Sequence, residues 1–411
     1  MSDLAWHLGS PLPEETWEQV RLAAIFECGK WDIQCEDHCV LAPMPLLLEA
    51  ASWAQLATLS ELLTAEAMRA EEELLERADL HVELGLPRPI RDFWSSPRKK
   101  IERTTGARVM RFDFHPTREG WRLSEVNADV PGGFLEASGF ARLMAAHYPS
   151  WQPTPDPASA LVDAVLDSAS GHDTIALVHA TAYVDDSEVM HYVGRQIQAR
   201  GVKAVRVSPA HLRWNGDRVQ FQCGFAHGSP DALVRFFPAD WLPELGNRAV
   251  WTGYFAGSST PVTNPASALL IQSKRFPLVW DALQTPMPTW RELLPETISP
   301  SRLNGNPTRE WILKPALGRS GEDVLMEGVT PEPQQQRVRK HARQYPRHWI
   351  AQRRFQSVPA TIGKKDFHVC IGVFTVNGRA SGAYGRVAER PLIDECARDA
   401  AVLVPAEVAK Q

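Results

Sequence analysis

The sequence predicts a mixed α/β fold of the α+β kind, in which antiparallel hairpins and parallel strands both occur. Three observations support this prediction. Apolar residues recur at helical spacing over residues 14 to 87, two alternating strands lie within residues 108 to 128, and a strand-helix-strand pattern begins at Thr174. A length of 411 residues indicates two or three domains, each with its own core.

Composition excludes several classes of partner. The formal net charge of -5 gives no reason to expect nucleic acid or an anionic membrane. The first residues lack the basic and apolar regions of a signal peptide, and glutamates interrupt the most apolar stretch. Six cysteines are too few for a disulfide scaffold. Cys28, Cys35, His38 and Cys39 could form a zinc site, but they lack its Cys-x-x-Cys spacing, which favours ordinary reduced cysteines. We therefore expect a soluble, cytoplasmic protein.

Residues 1 to 105 are predicted to form a mainly helical N-terminal region that packs on the rest of the chain. Leu59, Leu62 and Leu63 recur at helical spacing, and Leu74 and Leu75 continue the pattern. The charged residues between these leucines are typical of the solvated face of a helix.

Residues 106 to 150 hold the first candidate site. Period-two alternation places Met110 and Phe112 on one face of a strand, and Arg111 and Asp113 on the other. A polar turn, HPTREG, follows. After it the apolar residues Trp121 and Leu123 alternate with polar residues, and the same alternation would continue to Glu125.

A hairpin there would bring Glu125 and Asn127 back beside Asp113. Two carboxylates and an amide oxygen form a set of hard ligands that suits Mg²⁺, with Arg111 next to them. The alternative is an exposed hairpin with an ordinary charged face. A flexible turn at Pro131, Gly132 and Gly133 precedes a predicted helix.

Residues 172 to 262 are predicted to form an α/β domain on the substrate side. TIALVHA is typical of a buried strand, EVMHYVGRQIQARG of an amphipathic helix, and KAVRVSP of a second strand, which together make one βαβ unit. No G-x-G-x-x-G motif follows the first strand, so a dinucleotide site is not indicated.

Residues 263 to 411 hold the second candidate site. Lys274 lies in an apolar segment, where it either extends its ammonium to solvent or contacts a phosphate. In EWILKPALGRSGEDVLM, a strand ends at Lys314 and a Gly-rich loop with Arg319 leads to a second strand. Such a loop can close over a polyphosphate, although an exposed hairpin remains the alternative. A third strand carries Gln352.

These motifs resemble the ATP-grasp fold. Lys274, then K-P-x-x-G-R-x-G from Lys314, then Ala-Gln at Gln352, is similar to its nucleotide half. R-x-D at Arg111, followed by E-x-N-A-D from Glu125, is similar to its metal half. The metal half comes first, which is the order of the circularly permuted branch that includes the glutathionylspermidine synthases. The resemblance spans about residues 20 to 400.

The resemblance implies a role for each matching residue. Asp113, Glu125 and Asn127 would hold Mg²⁺, and Arg111 would contact the transferred phosphate. Lys274 and Lys314 would bind the phosphates of ATP, and Gln352 would lie along the adenine pocket. The loop of Gly318, Arg319, Ser320 and Gly321 would cover the phosphates, with Arg319 as a second catalytic cation.

The implied reaction is amide formation from a carboxylate and an amine, through an acyl phosphate made from ATP. The substrates would be small molecules, and the enzyme a possible homodimer. The family's serines that hold glutathione are replaced by Val130, Pro131 and Gly132, so glutathione and spermidine are not expected as substrates. Two alternatives stay open: a phosphotransferase that uses the same ATP site, and a non-catalytic nucleotide-binding subunit.

Overall fold

The structure, a computed structural model, describes residues 5–35, 38–96, 106–303, 309–319, 321 and 323–406. The helices within these residues, in chain order, are α1 (Glu14–Ala23), α2 (Ala50–Glu76), α3 (Arg88–Trp94), α4 (Ala141–Ala145), α5 (Pro157–Ser168), α6 (Val184–Ala199), α7 (Gly253–Ala256), α8 (Leu269–Gln272), α9 (Pro288–Leu293) and α10 (Glu332–Gln344). Two π-helical turns, Ala24–Cys28 and Glu136–Phe140, continue α1 and precede α4.

The strands in the same residues, again in chain order, are β1 (Trp6–Leu8), β2 (Gln34–Cys35), β3 (His38–Cys39), β4 (Leu46–Leu48), β5 (Val109–Thr117), β6 (Gly120–Asn127), β7 (Trp151–Pro153), β8 (Thr174–His179), β9 (Lys203–Val207), β10 (Leu212–Asn215), β11 (Arg218–Cys223), β12 (Ala226–Gly228), β13 (Ala232–Phe236), β14 (Val262–Thr263), β15 (Thr297–Ile298), β16 (Trp311–Pro315), β17 (Leu325–Met326), β18 (Trp349–Arg353), β19 (Ala360–Ile362), β20 (Lys365–Val376), β21 (Arg379–Ala388) and β22 (Arg398–Pro405). The predicted mixed α/β class is confirmed.

The largest sheet joins strands from both ends of the chain. Its order is β1-β4-β22-β21-β20-β5-β6, with β7 paired to β22 and β19 paired to β20. The pairs are antiparallel except for β4 with β22. The Asn-Gly pair at Asn377-Gly378, a strong hairpin signal in the sequence, forms the turn between β20 and β21, and both turn residues have the positive φ that such a turn needs.

Helix α2 covers one face of this sheet. Leu56, Leu63 and Leu74, at helical spacing, are fully buried. Burying each of them contributes roughly 1.5–3 kcal/mol, which explains why so long a helix is held in place. The Thr64 hydroxyl lies 2.9 Å from that of Thr375 on β20, so the contact also includes a buried hydrogen bond.

The second sheet is the predicted βαβ unit with two further strands. Its order is β14-β13-β8-β9, and all neighbours are parallel. Helix α6 connects β8 to β9, as the sequence predicted. The carboxyl ends of β8 and β13 lead directly to Tyr183 and Trp241, which line the main cavity described below. This edge is where parallel sheets ordinarily bind ligands.

The third sheet is antiparallel, with the order β15-β18-β16-β17, and α10 packs on it. β16 and β17 enclose the Gly-rich loop, as predicted, although β17 begins at Leu325. No helix among the described residues is long and apolar enough to cross a membrane.

Candidate active site

One large cavity, of about 630 Å³, lies where the three sheets meet. Side chains from the β5-β6 hairpin and from the Gly-rich loop line one end of it. We call this the hairpin end and define it by Arg111, Asp113, Glu125, Asn127, Lys274 and Lys314. Two motif groups more than 100 residues apart in sequence therefore share one cavity.

The β5-β6 register brings the predicted metal-binding residues together. Asp113 pairs with Glu125, and Arg111 pairs with Asn127. The Asn127 amide donates to Asp113 Oδ2 over 3.1 Å. The predicted juxtaposition of these four residues is therefore observed.

Two details of the hairpin differ from the sequence prediction. The strands run on to Thr117 and resume at Gly120, so the turn is shorter than HPTREG. The register also shifts after Asp113, with Ser124 as the extra residue of a β-bulge. This extra residue moves Glu125 away from the face of buried Trp121, where simple alternation would have put it.

Arg111 is held in place on three sides. Its guanidinium makes two bonds to the Asp113 carboxylate, of 2.7 and 2.9 Å, and one of 2.8 Å to the Gly132 carbonyl. It also lies 5.0 Å from the ring centre of Tyr384. Burial by itself would lower the pKa of Arg111, but the Asp113 carboxylate raises it well above its usual value. Arg111 is thus a fixed cation in the cavity wall.

Glu125 lies close to two lysines in the cavity wall, Lys274 and Lys314. Lys274 Nζ lies 3.1 Å from Glu125 Oε2. Burial would raise the pKa of Glu125, but the charges of Lys274 and Lys314 lower it to about 2. Glu125 is therefore a carboxylate at any physiological pH. Of the two readings offered for Lys274, the structure excludes extension into solvent, because its side chain is only 11% exposed.

Lys314 extends from β16 into the same space and is 8% exposed. Its ammonium donates to Gln352 Oε1 over 2.8 Å and lies 3.4 Å from the Ser124 carbonyl. Burial, with help from the charge of Lys274, lowers the pKa of Lys314 to about 8. Gln352 is itself buried and positions Lys314 in this way, and it does not line the cavity.

The Gly-rich loop lies across the cavity and contacts both sides of it. The Gly318 carbonyl accepts a bond of 2.6 Å from Lys274, and Arg319 forms an ion pair with Asp240. The Arg319 guanidinium also lies 4.6 Å from the ring centre of Trp241. Arg319 therefore contacts the α/β region. Gly321 packs closely on Asp394, because a Cβ added to Gly321 would lie 2.8 Å from the Asp394 Cα. Ser320 lies outside the described residues.

The hairpin end has the donor set that Mg²⁺ prefers, but it has only two carboxylates. No group of three or more His, Cys, Asp or Glu side chains able to hold a metal occurs within the described ranges. Asp113, Glu125 and Asn127 offer oxygen ligands on one face of the hairpin, and all three line the cavity. These residues fit a hard divalent cation that takes its remaining ligands from phosphate and water.

The other end of the cavity is acidic, and no sequence pattern predicted it. We call it the acidic end and define it by Lys30, Asp32, Glu136, Asp185, Asp186, Glu188 and Asp399. Burial raises the pKa of both Asp186 and Asp399 to about 6. These side chains come from four separate stretches, so no compact motif marks them.

Lys30 is the cation of the acidic end. Its ammonium lies 3.0 Å from Glu188 and 3.1 Å from Glu136. Burial by itself lowers the pKa of Lys30, but Glu136, Asp399 and Glu188 together raise it. The nearby guanidinium of Arg386 lies 3.6 Å from Asp399. The only sequence signal for Lys30 was a lysine directly after a glycine at a helix end.

Asp129, the last residue of the E-x-N-A-D motif, has a structural role. Its carboxylate accepts a bond of 2.5 Å from Arg235 and one of 2.9 Å from the Ala239 amide. The Arg235 and Asp129 side chains are 0% and 1% exposed. This pair joins the end of β6 to β13, so it fixes the hairpin end relative to the parallel sheet.

Comparison with known proteins places the chain in a family. The model of the glutathionylspermidine synthase preATP-grasp family matches residues 44–405. No curated protein matches the chain. Among solved structures, one similar chain is a Methylobacillus flagellatus KT protein that is assigned as a gamma-glutamylcysteine synthetase. It is 12% identical to this chain, with a TM-score of 0.39. That match covers 80% of this chain and 85% of the other. Because the family match spans most of its length, the chain belongs to the glutathionylspermidine synthase preATP-grasp family.

Proposed function

We propose that the protein is an ATP-dependent ligase that joins a small-molecule carboxylate to an amine through an acyl phosphate. In this proposal the fold is an ATP-grasp fold in circularly permuted order. Residues 106–150 and 263–411 form its metal and nucleotide parts, residues 172–262 an inserted domain on the substrate side, and residues 1–105 a packing region. A cytoplasmic location and a homodimer stay predictions.

The observation that carries the proposal is the single cavity with two ends of opposite character. At the hairpin end, three cations and two carboxylates surround a space that suits a polyphosphate and a divalent cation. At the acidic end, carboxylates outnumber the cations and suit an ammonium group. A ligase needs both kinds of binding in one space, because the activated acid must meet the amine.

The reaction has two steps. A carboxylate oxygen of the acid attacks the γ-phosphorus, the bond from that phosphorus to the β,γ-bridging oxygen breaks, and ADP leaves. The amine nitrogen then attacks the acyl carbon and loses a proton, the bond from that carbon to the phosphate oxygen breaks, and phosphate leaves. Negative charge on the phosphoryl oxygens increases in the first step, so fixed cations beside them lower the barrier.

The roles follow from position. Lys274 and Lys314 would bind the phosphates, and Arg111 would face the transferred phosphoryl group. Arg319 would exchange its contact with Asp240 for a phosphate oxygen as the loop of Gly318, Ser320 and Gly321 closes. Gln352 would act by holding Lys314 in place.

Asp113, Glu125 and Asn127 would hold Mg²⁺, which would neutralise phosphate charge when bound. For this, Glu125 must give up its contact with Lys274, which is then free to bind ATP. Lys274 would therefore keep Glu125 ionised and paired until ATP and the cation arrive together.

Trapping with hydroxylamine tests the proposal. The purified protein is incubated with ATP, Mg²⁺, hydroxylamine and a panel of amino acids and short peptides. We expect a hydroxamate to form together with ADP, because hydroxylamine captures an acyl phosphate.

A phosphotransferase would release ADP and give a phosphorylated product without hydroxamate. A non-catalytic subunit would bind ATP and release no ADP with any acid and amine. Either result would overturn the ligase assignment.

A further inference from the structure

We propose that Lys30 determines which amines the cavity accepts, because its ammonium permanently fills one cation position of the acidic end. An amine with a single ammonium then fits the remaining carboxylates, whereas a second ammonium finds its position taken. This inference rests on the proposed function, since it concerns the amine of that reaction. Lys30 is a specificity-determining residue in this view and takes no part in bond formation.

Lys30 is held like a bound ligand. Its side chain is only 10% exposed, and its ammonium lies between carboxylates from two different elements, Glu188 on α6 and Glu136 at the start of a π-helical turn. An exposed lysine would move among many rotamers, but this ammonium has one position. The pocket therefore already contains a site that binds an ammonium group.

The backbone explains why the lysine reaches this point. Gly29 ends the π-helical turn after α1 with φ +83°, and the Lys30 amide donates to the Ala24 carbonyl over 3.0 Å. A Cβ at Gly29 would come within 3.0 Å of His191 on α6, so the chain approaches α6 closely here. Next along the chain, the Asp32 amide donates to the second oxygen of Glu188. The N-terminal segment is thus fixed against α6 on both sides of Lys30.

The charges that remain define the amine. The Lys30 ammonium offsets part of the negative charge of Glu136 and Glu188. The Arg386 guanidinium does the same for Asp399. Asp185 and Asp186, at the start of α6, form no ion pair with any residue that the structure describes, and both line the cavity. They are the carboxylates that an incoming ammonium would meet. Removing the charge of Lys30 would expose two further carboxylates and create a second cation position.

The experiment measures amine binding at equilibrium, so it needs no turnover. The full-length protein is titrated by calorimetry with α,ω-diaminoalkanes of three to six carbons and with the n-alkylamines of the same lengths. The selectivity is the ratio of the association constants of the diamine and the monoamine. We expect Lys30→Met to raise this ratio by about tenfold or more for at least one length, because one buried ion pair is gained. Lys30→Arg should keep the wild-type ratio.

Two controls separate specificity from stability. Lys203→Met removes an exposed lysine from β9 and should leave the ratio unchanged. If Lys30→Met fails to fold, the double variant Lys30→Met with Glu136→Gln removes one charge of each sign. It should still raise the ratio, because Glu188 is left without its cation.

An unchanged ratio in a folded variant would overturn the proposal. Failure of both variants to fold, with a normal Lys30→Arg protein, would overturn it as well and assign Lys30 a purely structural role. The failure of the ligase assignment would be visible separately, as absence of hydroxamate in the trapping experiment.

Discussion

The hairpin end and the acidic end of the cavity are assembled in different ways. At the hairpin end, four of the charged and polar residues lie on two adjacent strands, and their side chains pair with one another or with Lys274. At the acidic end, four separate stretches supply the side chains, and carboxylates far outnumber the single lysine. The first end is a local motif completed by distant lysines, and the second exists only in the folded molecule.

The difference gives the two ends of one cavity opposite charge balances. The hairpin end carries three cations against two carboxylates, so it suits an anion. The acidic end carries six carboxylates against Lys30 and the neighbouring Arg386, so it suits a cation. The buried pair of Arg235 and Asp129 joins the end of β6, which carries the hairpin end, to β13 of the parallel sheet. Helix α6, which carries part of the acidic end, follows β8 of that same sheet. The following predictions test whether the two ends can be separated.

The largest effect is expected at the connection between the two ends. Arg235→Met would leave the buried Asp129 carboxylate with the Ala239 amide but without its cation. We expect the free energy of unfolding to fall by about 3–5 kcal/mol, because an unpaired buried charge is costly. Urea denaturation followed by circular dichroism measures it.

The matched control is Arg291→Met. This residue pairs with Asp281 at the surface, where the side chains are 49% and 94% exposed, and the expected change is about 1 kcal/mol or less. Similar losses in both variants would show that the Arg235 pair has no special role in joining the ends.

The next effect concerns the hairpin end alone. Lys314→Met removes a buried ammonium and should reduce ATP turnover by about 10²–10³-fold, because a fixed cation that would bind the phosphates of ATP is lost. The stability should stay near that of the wild type, since losing the bond to Gln352 is offset by removing a buried charge. ADP release and thermal unfolding are the two measurements.

Lys203→Met, the same substitution on an exposed strand position, should change neither quantity. Full ATP turnover in Lys314→Met would remove the central role of this lysine. Amine binding by Lys314→Met should be unchanged if the two ends act independently.

The smallest effect is a difference in pH dependence between the ends. Lys314, with its pKa lowered by burial to about 8, loses its charge above that pH, so the KM for ATP should rise there. Asp186 and Asp399, with pKa values raised by burial to about 6, become neutral below that pH, so the KM for the amine should rise there. Each titrating group should change KM by at most about tenfold per pH unit.

Steady-state kinetics from pH 5 to 9.5, with each substrate varied in turn, measures both profiles. Near pH 7, between the two sets of pKa values, both KM values should be at their lowest. If the KM for ATP and the KM for the amine changed at the same pH, the two ends would not act separately.

Much of the fold followed from local patterns. The βαβ unit, the Asn377-Gly378 hairpin and α2 were predictable because period, turn residues and helix spacing act over a few residues. The bulge at Ser124 was not predictable, because alternation alone cannot locate an extra residue in a strand. Arg319 was placed in the right loop, but its contact with Asp240 depends on a segment some 80 residues earlier in the chain.

The sequence by itself determined the hairpin end, because Arg111, Asp113, Glu125 and Asn127 lie on adjacent strands whose pairing follows from the turn. It left the role of Lys274 open, and the tertiary structure placed this lysine beside Glu125. Only the tertiary structure decided that Lys30 meets Glu136 and Glu188, and that their carboxylates share a cavity with the lysines. The physical reason is that side-chain periodicity is encoded locally, whereas a cavity wall is made by contacts between segments that are distant in sequence.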